Sequence, residues 1–492
     1  MGRFASLVLA IRFLADRRHG FLLLPHSSKN QQIIHHSSPT RRRWATADGN
    51  ELPRTGAKQE VGYRFPQNVA WCLKQAPFLI FALALCVRLT IIFKTRTYLD
   101  IEHTEVVRIA TSLATQGTFA DAYGHTGPTA HASPLYPILL SLIFRIFGTG
   151  VVGEIVQETF SSIIASLIYA ALPTLSTACG LGLAPGILAG LVGAVLPVNF
   201  WSETKGSFEA PLAGLLLMMF CIVTARAWRS SDFSVGSALM VGFISGVGLL
   251  VSPSLAPVML ASLFLGCALF RRAKVKECIR FSVIVLAIVA FCLTPWAVRN
   301  YLALGGAVWS RSNLGLELYI SNNDMAAPNW YDNVSSHLLG RSHPFLSRVE
   351  QRKLHAMGEL PYEHEKLTIA VHWIVTHPKR FTWLTMQRIY YFWFPRMRRR
   401  TQSILMGLFT VGAGAGLILL LRSEDVMAWL FLGIVTSYPI IYYIVEAFAR
   451  YRCPIDWVLV FLTSLWIWSF VSARTNFFPM GLRPSSLRSA PE

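Results

Sequence analysis

The sequence predicts an all-α polytopic membrane protein of about ten transmembrane helices. Three observations carry this. Hydrophobic residues make up 53% of the 492 positions and charged residues only 14%, where a soluble domain carries about 25% charged residues. Mean hydropathy is +0.45. Apolar runs near the roughly 20 residues that a spanning helix needs recur from Pro77 onward.

The first 75 residues stand apart. Arg41, Arg42 and Arg43 follow His35, His36, Ser37 and Ser38, and no apolar run reaches spanning length. This composition predicts a disordered basic cytoplasmic tail over residues 1–75. Arg3, Arg12, Arg17 and Arg18 punctuate an apolar stretch, so a targeting peptide is the alternative.

The predicted spans then follow in order: Pro77 to Phe93, Ile155 to Leu175, Leu183 to Phe200, Ala210 to Ala225, Val235 to Val251, Leu255 to Phe270, Phe281 to Val298, Ile404 to Leu421, Val426 to Val445 and Ile455 to Phe470. Pro134 to Phe147 is ambiguous, because it is short and carries Arg145. Runs of about 14 residues more often lie at the interface or re-enter than cross. If it stays on one side, the basic loops Arg226 to Arg229 and Arg271 to Lys276 share the N-terminal side, which the positive-inside rule makes cytoplasmic.

That count places two long loops on the external face. The chain divides into the tail, an N-terminal transmembrane module over 76–298 with a first external loop over 94–133, and a second external loop with interfacial helices over 299–401. C-terminal transmembrane helices follow over 402–473, then a tail over 474–492. Arg396, Arg398, Arg399 and Arg400 depart from the charge rule, which long loops follow poorly. Leu367 to Phe394, broken at His377-Pro378 and rich in Trp and Tyr, has the amphipathic character of helices lying on the membrane surface.

The net charge of +19 does not indicate nucleic acid, because the basic residues lie in the tail and short loops without interleaved aromatics. Eight scattered cysteines with no CxxC pair act as small hydrophobes. His343 and His377 lack metal-ligand company, so no metal or other cofactor is expected. Asn333-Val334-Ser335 matches a glycosylation acceptor.

Chemistry concentrates in the first external loop, where Asp100, Glu102 and Glu105 cluster as the first span ends. A carboxylate at an apolar boundary is a candidate general base, with Arg108 three residues beyond Glu105 to tune it. Solvated acids capping a surface helix are the plain alternative.

The blocks TEVVRIATSLATQGTFADAYGHTGPTA, PLYPILLSLIFRIFG, SETKGSFEAPLAGLLL, PWAVRNYLALGGAVWSRSNLGLELYISNN and RYRCPID occur in that order between Asp100 and Asp456. Together they resemble the GT-C superfamily of membrane glycosyltransferases, in particular the group of protein O-mannosyltransferases and the lipid A aminoarabinose transferase. The resemblance implies inverting transfer of a sugar from a polyprenyl-phosphate carrier to a glycan, lipid or protein acceptor, outside a bacterial plasma membrane. It implies a loop carboxylate as base. Glu105 is the closest match, Glu102 fits the aminoarabinose-transferase register, and with no Asp-Glu pair present Asp100 stays open as well.

The matching blocks also nominate donor-phosphate ligands, Arg299, Arg311, Arg450 and Arg452, because the guanidinium fork suits phosphate oxygens. Glu203 and Glu209, at a junction of two spans, are candidate cavity-lining acids. Arg88, inside the first span, is expected to snorkel. A transporter or flippase of a lipid-linked sugar is the rival function. It would show an internal repeat and polar residues at mid-membrane, whereas this chain gathers its polar residues in two loops. A structural subunit of a cell-envelope complex is the third class.

Overall fold

A computed structural model describes residues 67–196, 199–397 and 399–474, with side chains left out at 67–74, 271–273 and 474. Most of the predicted N-terminal tail and nearly all of the C-terminal one lie outside the described residues. The compact unit that carries the candidate site begins at Gln75.

Every named element among the described residues is helical, and the extended contacts are two isolated bridges, Ala120 with Pro128 and Asn329 with Ala447. Hydrocarbon offers the backbone no hydrogen-bond partner, and a helix satisfies its own. Among the described residues, seven helices are long and apolar enough to cross a bilayer: Gln75–Thr95, Val151–Ala178, Ala210–Ser230, Lys274–Leu304, Arg400–Arg422, Val426–Ile444 and Ala449–Ala473. The other three expected spans form the shorter apolar helices Leu183–Val195, Val235–Val251 and Pro253–Leu269.

Packing sorts these helices into centre and rim. In its most apolar stretch the last helix is 72% buried and the first only 28%. Trp457, Val458, Phe461 and Leu462 of the last helix sit in the largest core cluster. Rim helices turn residues such as Phe264 and Phe291 outward, as lipid-facing positions allow. The helix Leu183–Val195 lies close against Val151–Ala178, and a Cβ at Gly186 would stand 2.6 Å from the Leu172 carbonyl oxygen. Small residues permit this approach.

Polar contacts mark the two ends of the bundle. At one end Arg229 pairs with Asp425 at 2.5 Å and donates to the Cys179 carbonyl at 2.9 Å, which joins three helix ends. At the other, Lys205 pairs with Glu158 at 3.0 Å and Glu154 at 2.5 Å, and takes the carbonyls of Thr97, at 3.0 Å, and Asp100. The loop after the first span therefore lies level with the start of Val151–Ala178. The ambiguous run is the 13-residue helix Leu135–Phe147, about 20 Å long. It leaves the first loop and ends four residues before Val151, so both its ends lie at this same end.

The second long loop is largely helical. After the helix ending at Leu304 come Leu314–Ser321, Trp330–Ser335, Leu338–Ser342, Arg348–Met357, Glu359–Thr376 and Pro378–Trp393. Pro378 starts the last of these, as a residue without an N–H can. Trp383, Met386, Tyr390 and Phe394 form an exposed stripe, while Leu384, Arg388 and Phe392 are buried, a helical period on both faces.

Candidate functional site where the two loops lock

The two long loops are bonded to each other. The Glu359 carboxylate accepts from the Ala130 N–H at 2.7 Å, the Ser312 hydroxyl at 2.7 Å and the Thr129 hydroxyl. Burial holds its pKa above the ordinary carboxylate value despite these donors. The Ser312 N–H donates to the Ala130 carbonyl at 2.9 Å, and the Gln351 amide donates to the carbonyls of Gly124, at 2.9 Å, and Tyr123. Arg299 belongs to this seam. It donates to the carbonyls of Thr129 and Phe119, each at 2.7 Å, and packs against the rings of Phe119 and Trp296. Its fork is spent on holding the loops together.

Glu105 opens the helix Glu105–Gln116, which Thr104 caps by accepting from the Val107 N–H. An acid in the first turn is favoured by the helix dipole. Its carboxylate faces the second loop, with Oε1 3.9 Å from His343 Nε2. Behind it Tyr123 and His131 are buried, with the phenol oxygen 3.0 Å from His131 Nδ1. Burial and then the Glu105 charge push the Tyr123 phenol well up, so it stays protonated. Burial and then Arg311 push His131 well down, so the ring is neutral.

Arg311 donates to the His131 carbonyl at 3.1 Å and pairs with Glu209 at 3.3 Å. Arg450 completes the group. Its guanidinium lies 3.6 Å from the Phe208 ring centre and 5.1 Å from that of Tyr451, whose hydroxyl it reaches at 3.4 Å. Both Glu105 and Glu209 act on it electrostatically. Flat aromatic packing holds the cation in place and leaves N–H donors for a ligand.

The chain matches no protein-family model, and it matches no curated protein.

The structure pairs Glu209 with Arg311 and sets both Glu105 and Glu209 within electrostatic reach of Arg450. It places the other nominated residues elsewhere. Asp100 is exposed and gives its carbonyl to Lys205. Glu102 is half-buried, and its charge acts on Glu154 and Glu158. Arg452 is buried and committed to Asp456 at 2.7 Å, with the Trp393 carbonyl and the Thr410 hydroxyl each at 3.0 Å. Glu203 is buried against Arg88 at 2.5 Å and accepts from Tyr169 at 2.7 Å.

Arg88 corrects an expectation. It does not snorkel but is fully buried, because Glu203 and the carbonyls of Ala84 and Gly193 take its donors. Asn333 is buried too, with its amide given to Glu446 at 2.5 Å and to Ala327 at 3.3 Å, so the sequon is closed to modification in the folded chain.

Sequence reasoning passed over Lys205, Tyr123, His131 and Glu359. Lys205 had a signal, a lone cation between Glu203 and Glu209 at a span junction. The others meet partners that only tertiary contact reveals. A separate cavity, lined by Phe220, Thr224, Trp228, Phe233, Ser262 and Phe281, is apolar and lies toward the opposite end of the bundle.

Proposed function

We propose that the protein is a GT-C-type glycosyltransferase that moves a sugar from a polyprenyl-phosphate carrier to an acceptor on the external face of a bacterial plasma membrane, with inversion. The observation that carries this reading is that Glu105 and Glu209 both act electrostatically on Arg450, while Glu209 also pairs with Arg311 at 3.3 Å. The acceptor nucleophile gives its proton to Glu105 as it attacks the anomeric carbon. The bond from that carbon to the phosphate oxygen breaks, and the phosphate leaves with the electron pair. Arg450 and Arg311 take up the growing negative charge.

The topology in this reading has ten crossings, the seven long helices and the three shorter ones, with both loops external. The seam through Glu359, Arg299 and Gln351 supports a shared face. With Gln116→Cys, Ala356→Cys and Ser230→Cys made singly, a membrane-impermeant thiol reagent applied to intact cells should add label at 116 and 356, and none at 230, over the unsubstituted chain. Label at 230, or at only one of the other two, sinks the topology.

The activity test uses purified protein in lipid nanodiscs, radiolabelled polyprenyl-phosphate mannose and polyprenyl-phosphate aminoarabinose, and an envelope extract as acceptor source. Wild type should transfer label from one of them, and Glu105→Gln should lower turnover roughly 100-fold or more with donor affinity nearly unchanged. Donor binding without transfer in wild type would favour the transporter instead.

A further inference from the structure

His343 has no role in the mechanism above, yet it is the second-loop side chain that meets the Glu105 carboxylate. We infer that His343 is a positioning residue, which anchors one oxygen of Glu105 so that the other faces the acceptor. The inference rests on the proposed role of Glu105 as base.

The tautomer of His343 is set within its own turn. The Phe345 N–H donates to His343 Nδ1 at 3.0 Å, so Nδ1 keeps its lone pair and the neutral ring carries its proton on Nε2. Nε2 lies 3.9 Å from Glu105 Oε1. With Nδ1 accepting and Nε2 donating, neither ring nitrogen is free to take the acceptor's proton. His343 therefore serves Glu105 and does not replace it.

The turn that carries His343 grips the Glu105 helix at two points. His343 meets Glu105, and two residues on Phe345 packs under the Arg108 guanidinium at 4.7 Å. Arg108 lies one helical turn beyond Glu105, and its Nε holds the His103 carbonyl at 3.0 Å. Tyr123 meets the His343 ring edge-on at 5.6 Å, which limits rotation of the imidazole.

Exposure fits the role. The His343 side chain is 16% exposed and that of Glu105 18%, dry enough for a charge-assisted bond to count and open enough for an acceptor to arrive. A carboxylate turning freely about its last bond presents its basic oxygen in many directions. Anchoring Oε1 fixes Oε2, which receives the proton. At 3.9 Å the pair is beyond hydrogen-bond length, so the anchoring requires the two groups to approach by about 1 Å when acceptor binds.

The test is a double-mutant cycle on the full chain in nanodiscs, with whichever of the two labelled donors wild type transfers. His343→Leu should lower turnover roughly 10- to 100-fold and leave donor affinity within about twofold. His343→Gln, whose amide can still donate, should recover most of that loss. In a Glu105→Gln background His343→Leu should cost no more than about twofold further, because it acts through Glu105. Equal losses in both backgrounds, or a Gln variant no better than Leu, would overturn the inference and leave the enzyme standing. Transfer undiminished by Glu105→Gln would overturn the inference and the role of Glu105 as base, and leave the enzyme class standing. A wild type that transfers neither donor overturns both.

Discussion

Two charged clusters sit at the loop end of the bundle, and they differ in saturation. In the closed one, Arg88 with Glu203, Lys205 with Glu154 and Glu158, and Arg452 with Asp456 are almost fully buried, and each cation also holds at least one backbone carbonyl. In the open one, Glu105 and His343 stand 3.9 Å apart, Arg311 and Glu209 3.3 Å, and Arg450 leans on aromatic faces. The closed cluster has used its donors on the fold. The open cluster has donors and acceptors left for a ligand. Having acids and arginines at a membrane boundary is therefore not enough to mark a site, and the useful sign is hydrogen-bonding capacity that the protein leaves unspent.

The strongest way to break this contrast is to open the closed cluster. Arg88→Met strands the Glu203 charge among Tyr169 and apolar neighbours, and leaving one partner of a buried pair costs roughly 3–5 kcal/mol. Thermal melts in nanodiscs should show the largest loss of any variant named here. The double variant Arg88→Met with Glu203→Gln should recover much of it, because the unpaired charge is gone. A single variant as stable as wild type would mean that the pair is not structural.

How far the sequence reveals this arrangement depends on range. Span length and apolar runs are local properties, so the seven long helices and the three shorter ones are all visible as runs. Glycine spacing in Leu183–Val195 explains why that helix packs closely, but not where it packs. The site is only half visible. Glu105, Glu209, Arg311 and Arg450 stand out by charge, while nothing in their neighbours separates them from Glu203, Arg299 and Arg452. That separation comes from the Gly193 carbonyl at Arg88, the Phe119 carbonyl at Arg299 and the Thr410 hydroxyl at Arg452, partners distant in the chain. His343 has no metal-ligand neighbours in the sequence to mark it, and its meeting with Glu105 requires both loops to fold first.

The contrast sharpens at the arginines. Arg450→Gln should weaken binding of the labelled donor by roughly tenfold, the order of one charge-assisted hydrogen-bonding group, with little change in melting temperature. Arg299→Gln should do the reverse, lowering the melting temperature through the loop seam while donor affinity per folded molecule holds. Equal effects of the two on affinity would erase the distinction between a spent and an unspent guanidinium.

The smallest effect lies behind the open cluster, at Glu363. Its carboxylate accepts from the Leu316 N–H at 2.8 Å, where the helix Leu314–Ser321 begins. Burial, with Glu359 and Glu317 adding repulsion, pushes its pKa from 4.5 up to about 8. Between those values the folded chain holds a proton that the unfolded chain has released. Stability from this group therefore falls as pH rises from about 4.5 to about 8. Glu446, pushed up to about 7 by its own burial, adds to the slope in the lower part of that window. Melting temperature measured from pH 5 to pH 8.5 should decline by a few degrees in wild type. Glu363→Gln keeps an oxygen for the Leu316 N–H and removes the titration, so its decline should be shallower and confined to the range of Glu446. An unchanged slope in that variant would mean that Glu363 is already ionised, and that the second loop carries one more fixed negative charge beside the site.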